Sequence, residues 1–181
     1  SLTPLQTLSL YNAVANDGVM VKPLFVKEIK EWNTTVKKFE TEIIHPKIAS
    51  DETLDKVRKV LENVVKRGTG SKLYSKDFSM AGKTGTAQVN YKDKSKLFYA
   101  SSFVGYFPAD QPKYSCIVVV HKPNVAAGYY GADVAGPVFK RIAQKIYTDS
   151  PPTNHIKNID AKIKSLENNY DSYYKKTQIE A

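Results

Sequence analysis

The sequence predicts an α+β fold in which an antiparallel sheet is flanked by helices, and three observations predict it. Residues 78–89, 98–107 and 114–121 are successive β-rich runs joined by short polar links, the pattern of an antiparallel meander. Residues 2–16 and 51–66 carry apolar positions at helical spacing, each run opened by a capping residue and closed by a glycine-bearing stop. A further helical run, 133–147, follows the sheet and should lie across it. With 181 residues, 41% of them hydrophobic, the chain is long enough to bury one sizeable core.

In the first helix Thr3 caps, Pro4 suits the first helical position and Gln6 completes a capping box. Leu5, Leu8, Tyr11, Val14 and Ala15 share its apolar side, and Asn16-Asp17-Gly18 stops it. Residues 20–29 read as a strand that Pro23 confines to an edge or a late start. Residues 30–46 are polar and turn-rich, as a hairpin would be. Trp32, the only tryptophan, is expected to cover the edge of the core.

The second helix has Ser50 as its cap, Asp51 and Glu52 at its positive end and Lys66-Arg67 at its negative end. Leu54, Val57, Leu61, Val64 and Val65 form its inward stripe. A Gly68-Thr69-Gly70 turn follows. As a phosphate cradle it would need a helix start behind it, and the sequence offers none. Cys116, the single cysteine, lies in the apolar run 116–120 and reads as a small buried hydrophobe with no possible intrachain disulfide. In the last helix Val134, Val138, Ile142 and Ile146 stand at i, i+4 spacing, and Pro137 fits only near its first turn.

Ser150-Pro151-Pro152-Thr153 separates residues 1–148, read as one domain, from a helical tail, 149–181. In the tail Ile156, Ile159, Ile163, Leu166, Tyr170 and Tyr173 step by three and four, a short heptad seam. A helix folded back on its own domain and a helix that binds a partner both fit that pattern.

The formal net charge is +9, from 27 basic and 18 acidic residues. The lysines are scattered, which favours a solvated basic face over a nucleic-acid track or an anionic envelope surface. His45, His121 and His155 show no metal spacing and no legible triad, and no cofactor is expected. No apolar run approaches the length of a bilayer, and the N-terminus lacks a signal-peptide pattern. A targeting segment would have to lie upstream of Ser1.

The chemistry concentrates in Met80-Ala81-Gly82-Lys83-Thr84-Gly85-Thr86-Ala87-Gln88. On an extended strand alternate side chains face the same way, so Thr84 and Thr86 are able to grip one carboxylate together. Gly85 leaves the main chain between them open to close approach, and Lys83 supplies a point positive charge. Exposed N–H groups on such a strand are able to bond a ligand as an added strand would.

Lys83-Thr84-Gly85-Thr86-Ala87-Gln88 resembles the third motif of penicillin-binding proteins, in particular the class B transpeptidases of cell division or elongation. Other stretches agree in order: Leu2-Thr3-Pro4-Leu5-Gln6, Asn16-Asp17-Gly18, Gly68-Thr69-Gly70, Ser102 through Ala109, and Tyr129-Tyr130-Gly131 through Phe139. The resemblance implies part of a penicillin-binding/β-lactamase-like domain. Its enzymes cross-link peptidoglycan stem peptides through a serine of a Ser-x-x-Lys motif and are acylated by β-lactams at the same serine. Carried onto this sequence, Lys83 supplies electrostatics and proton-network support. Thr84 and Thr86 bind the terminal carboxylate of the stem peptide or of a β-lactam. Thr86 also offers its backbone N–H to the oxyanion, and Gly85 keeps the approach open.

The resemblance also implies a membrane-anchored parent with its catalytic domain on the periplasmic or extracytoplasmic side of the inner membrane. Cell-division or elongation proteins are its possible partners. The rest of the machinery is missing from the sequence. No Ser-x-Asn occurs, and the one formal Ser-x-x-Lys, Ser172-Tyr173-Tyr174-Lys175, lies in the tail, after the third motif rather than well upstream of it. The chain is therefore expected to hold the substrate-binding strand without the nucleophile and to be inactive alone. A carboxypeptidase or β-lactam sensor would share Lys-Thr-Gly. Outside enzymes, a basic, tyrosine-rich nucleic-acid module or a protein-interaction module using the seam are the alternatives.

Overall fold

The structure, a computed structural model, describes residues 2–90, 92 and 97–149. The Pro-Pro break, the heptad seam and the formal Ser-x-x-Lys of the tail lie outside the described residues. The chain divides into two compact units, Ser1–Ala143 and Gln144–Ala181. The sheet, the core and the cleft below all belong to the first.

Helix α1, Pro4–Ala15, starts as the sequence dictates. The Thr3 hydroxyl accepts from the Gln6 N–H, the Gln6 side chain accepts from the Thr3 N–H, and Pro4 opens the first turn. Asp17 and Gly18 end it in left-handed conformations, φ 51° and 86°. Of the expected inward side, Val14 is buried together with Ala13, whereas Leu5 is 40% exposed.

The strand expected over 20–29 is two separate pieces. β1, Met20–Val21, pairs with β4, Ile43–His45, and β2, Glu28–Glu31, pairs with β3, Thr34–Lys38, in an antiparallel hairpin. Pro23 sits in the gap between β1 and β2, where it has no ladder N–H to lose. Trp32 does not cover the core. It stands in the hairpin turn with φ 53° and 96% of its surface exposed, because the turn holds it away from every packed element.

Helix α2, Asp51–Arg67, is capped by the Ser50 hydroxyl, which accepts from the Thr53 N–H. Its stripe is the expected one, with Leu54, Leu61 and Val65 buried and Val57 and Val64 half-buried. Gly68-Thr69-Gly70 leads into one 3-10 turn, Ser71–Leu73, where no helix start is legible in the residues.

Strands β5, Ala81–Val89, β6, Phe98–Phe107, and β7, Tyr114–His121, form the predicted antiparallel meander in the order β5-β6-β7. β5 begins three residues later than its apolar run, and Phe78 is buried ahead of it. The central strand carries the core. Phe103 and Phe107 face one side, where Phe139 meets their rings at 4.8 and 5.7 Å. Tyr106 faces the other, in a cluster with Val14, Leu54, Leu61 and Ala81. Helices α1 and α2 therefore cover one face, and the last helical run covers the other.

That last run is two helices, α3, Gly131–Val134, and α4, Gly136–Asp149, with Pro137 in the first turn of α4 as required. Its buried side differs from the expected one. Ala135, Phe139 and Ala143 are fully buried, while Val138 and Ile142 are each 36% exposed. The inward row is offset by one position because the large Phe139 ring takes the space over β6. Cys116 is only half-buried, and that burial raises its thiol pKa.

Candidate functional site

β5 is an edge strand among the described residues, so alternate main-chain N–H and C=O groups along it point away from β6. Thr84 and Thr86 line one cleft of about 300 Å³. The cleft is completed by Thr69 and Lys72 from the turn after α2 and by Tyr130, Gly131, Ala132 and Asp133 from the start of α3. The two threonines thus share a face, as alternation requires.

Both hydroxyls are held in place by other groups of the protein. The Gly131 N–H donates to Thr86 Oγ1 at 3.2 Å, so an accepting lone pair is used and the Thr86 proton is free to point into the cleft. Lys83 Nζ donates to Thr84 Oγ1 at 3.3 Å and to the Thr84 carbonyl at 3.0 Å. Thr69 Oγ1 lies 3.2 Å from Thr84 Oγ1. Lys83 itself sits one position out of phase with the threonines, and its exposed ammonium curls back over Thr84.

One glycine, Gly131, fixes this arrangement sterically. A Cβ on Gly131 would lie 2.2 Å from the Ser102 carbonyl oxygen and 2.6 Å from that of Gly85, so only glycine lets α3 press against the β5–β6 ladder and reach Thr86. A Cβ on Gly85 would fall 2.5 Å from Ser102 Oγ on the neighbouring strand. Rotation of the Ser102 hydroxyl relieves that contact, so the sheet does not by itself demand glycine at 85.

Tyr130 reaches the cleft at the end of a short aromatic stack. Tyr99 and Tyr129 stack with centroids 4.2 Å apart, Tyr129 and Tyr130 at 4.5 Å, and the Tyr129 hydroxyl donates to that of Tyr130 at 3.2 Å. That hydrogen bond and the proximity of the Tyr130 phenol push the Tyr129 pKa up to about 12. The Ser101 hydroxyl anchors the same loop through the Tyr129 carbonyl.

The structure therefore brings Lys83, Thr84, Gly85 and Thr86 to one open edge, as the sequence predicted. Thr69, Lys72, Tyr130, Gly131 and Asp133 escaped the sequence as cleft residues. Thr69, Tyr130 and Gly131 stand inside the resembling stretches, yet nothing in their spacing, 15 to 45 residues from their partners in β5, links them to it.

A family model described as the penicillin binding protein transpeptidase domain matches residues 1–144. The stage V sporulation protein D of Bacillus subtilis is 36% identical over 146 residues, which is 78% of this chain and 22% of that protein. The peptidoglycan D,D-transpeptidase FtsI of Buchnera aphidicola is 34% identical, over 80% of this chain and 24% of its own length. Among solved structures, penicillin-binding protein 3 of Mycobacterium tuberculosis complexed with aztreonam is 30% identical with a TM-score of 0.67, over 82% of this chain and 35% of that one. The chain spans about a quarter of the length of these curated relatives. With the family model matched over most of its residues, this chain belongs to the penicillin-binding-protein transpeptidase family, among the class B enzymes.

Proposed function

We propose that this chain forms the carboxylate-binding part of a peptidoglycan D,D-transpeptidase, acting with a serine nucleophile carried on a portion of the domain outside these residues. The observation that carries the reading is the pair of threonine hydroxyls, Thr84 and Thr86, on an open strand edge. Each is braced from within the protein: Thr86 keeps a proton to donate to a ligand carboxylate, and Thr84 has one to donate when Thr69 is the donor between them. The aztreonam complex of the tuberculosis relative supports a β-lactam as an alternative occupant of the same edge.

In the reaction, the serine oxygen attacks the penultimate D-alanine carbonyl of a stem peptide. The amide C–N bond breaks, terminal D-alanine leaves with the proton, and an acyl ester remains. An acceptor amine then attacks that ester, forming the cross-linking amide and restoring the serine. Thr84 and Thr86 hold the terminal carboxylate through binding and acylation. Lys83 contributes positive charge beside them. The Thr84 carbonyl accepts from Lys83 rather than facing β6, and main-chain groups two residues apart share a direction, which supports the Thr86 N–H as an outward donor to the oxyanion.

A relative named a peptidoglycan D,D-transpeptidase supports a location at the cell envelope. We extend this to the extracytoplasmic side of the membrane. Among the described residues no helix is long and apolar enough to cross a bilayer. We retain residue 148 as the end of the transpeptidase segment. Protein partners in division or elongation would be met outside the cleft.

Intact-mass spectrometry after incubation with benzylpenicillin tests the reading. This chain alone should gain no covalent adduct, whereas a polypeptide in which it follows the remainder of a transpeptidase domain should gain one adduct on a serine outside these residues. A stoichiometric adduct on this chain, on Ser172 for example, would overturn it.

A further inference from the structure

Lys72 and Asp133 line the same cleft as Thr84 and Thr86. Leu73, beside Lys72, is 1% exposed and packs against Gly136, which turns Lys72 outward. The Lys72 side chain is 74% exposed, yet its ammonium lies 2.6 Å from Asp133 Oδ1. The Asp133 side chain is 31% exposed, and with its partner this open to water the pair contributes about 0–1 kcal/mol to stability. Its position matters more. The Asp133 carboxylate stands in a cleft proposed to hold another carboxylate, and it would repel that ligand unless a cation stood beside it. Lys83 is occupied at the Thr84 carbonyl, on the strand itself. Lys72 is the cation that lines the cleft.

We propose that the Lys72–Asp133 pair sets the charge of the cleft, with Lys72 as an additional cation for the ligand carboxylate and Asp133 as the anion that holds and moderates it. The inference rests on the carboxylate reading of Thr84 and Thr86. It makes the two members of the pair act in opposite directions, which a purely structural clasp between the turn and α3 would not do. A unit charge some 6–8 Å from the ligand carboxylate, in largely aqueous surroundings, changes its binding by about three- to tenfold.

The experiment is the second-order acylation rate of a complete transpeptidase polypeptide carrying this segment, with benzylpenicillin and with its uncharged methyl ester. Lys72→Met should slow acylation by benzylpenicillin about three- to tenfold. Asp133→Asn should speed it, and the double variant should return close to the parent rate. Added salt should shrink both single effects, and the ester should respond to neither. Equal slowing by both single variants, with either ligand, would assign the pair to structure alone and overturn the proposal, as would no effect from either. Thr84→Val with Thr86→Val is measured in parallel. If that variant loses rate while the Lys72 and Asp133 variants fail to diverge, only this inference falls. If it acylates at the parent rate, the carboxylate reading fails and this inference with it.

Discussion

Two antiparallel pieces of this molecule have similar backbone ladders and very different surroundings. In the β2–β3 hairpin every residue except one is exposed, and the turn presents Trp32 almost wholly to solvent. In β6, by contrast, Ser101 and residues 103–107 are all buried, with helices packed on both faces. Among the described residues the site strand β5 pairs with β6 and with no strand on its other side. A strand can therefore be open enough to receive a ligand and still be rigid, provided its one neighbour is clamped in a core. The hairpin has the openness without the clamp.

Substitutions sharpen that contrast. The largest expected effect is at Phe103, which is fully buried against Phe139. Phe103→Ala should cost about 3–5 kcal/mol, read as a lower urea midpoint. If it cost under 1 kcal/mol, β6 would not be the clamp.

Tyr106 gives a smaller effect of the opposite sign. Its hydroxyl is buried with no hydrogen-bond partner among the described residues, so Tyr106→Phe should be neutral or stabilise by about 1 kcal/mol. Burial pushes the Tyr106 pKa up to about 12, with nearby Arg58 opposing and Glu62 adding to the rise. Because the folded pKa is raised, the folded state holds its proton where the unfolded state has lost it. Stability from this group is complete below about pH 10 and is lost between about pH 10 and 12. Tyr129 titrates in the same range, so the prediction concerns the difference: alkaline destabilisation should be shallower in Tyr106→Phe than in the parent. Identical pH profiles would remove Tyr106 from the account.

The smallest effect is expected at Trp32. Trp32→Ala should change stability by no more than about 0.5 kcal/mol, because the ring touches no packed element. A large loss would mean that the hairpin is clamped after all.

Much of this was legible in the sequence, for identifiable reasons. Caps are local chemistry, so Thr3, Pro4, Gln6 and Ser50 fixed both helix starts. Period-2 alternation placed Thr84 and Thr86 together, and the Lys-Thr-Gly stretch identified the strand that matters. What escaped was decided by packing. The inward row of α4 moved by one position because Phe139, outside the i, i+4 series of Val134, Val138, Ile142 and Ile146, fills the space over β6. A lone tryptophan normally buries apolar area, and the hairpin turn at Trp32 denies it a surface to cover. The far wall of the cleft depends on Gly131 touching the backbone of Gly85, a long-range fit with no local signature.

The central claim is that Thr84 and Thr86 jointly hold a ligand carboxylate. The most direct measurement is the second-order rate of acylation by benzylpenicillin in a complete transpeptidase polypeptide carrying this segment, parent against Thr84→Val with Thr86→Val. Each lost hydrogen bond to a charged group is worth roughly 1.5–3 kcal/mol, and although neighbours seldom add in full, the rate should fall by about a hundredfold or more. An unchanged rate in a folded variant would contradict the account and remove the two hydroxyls from the site.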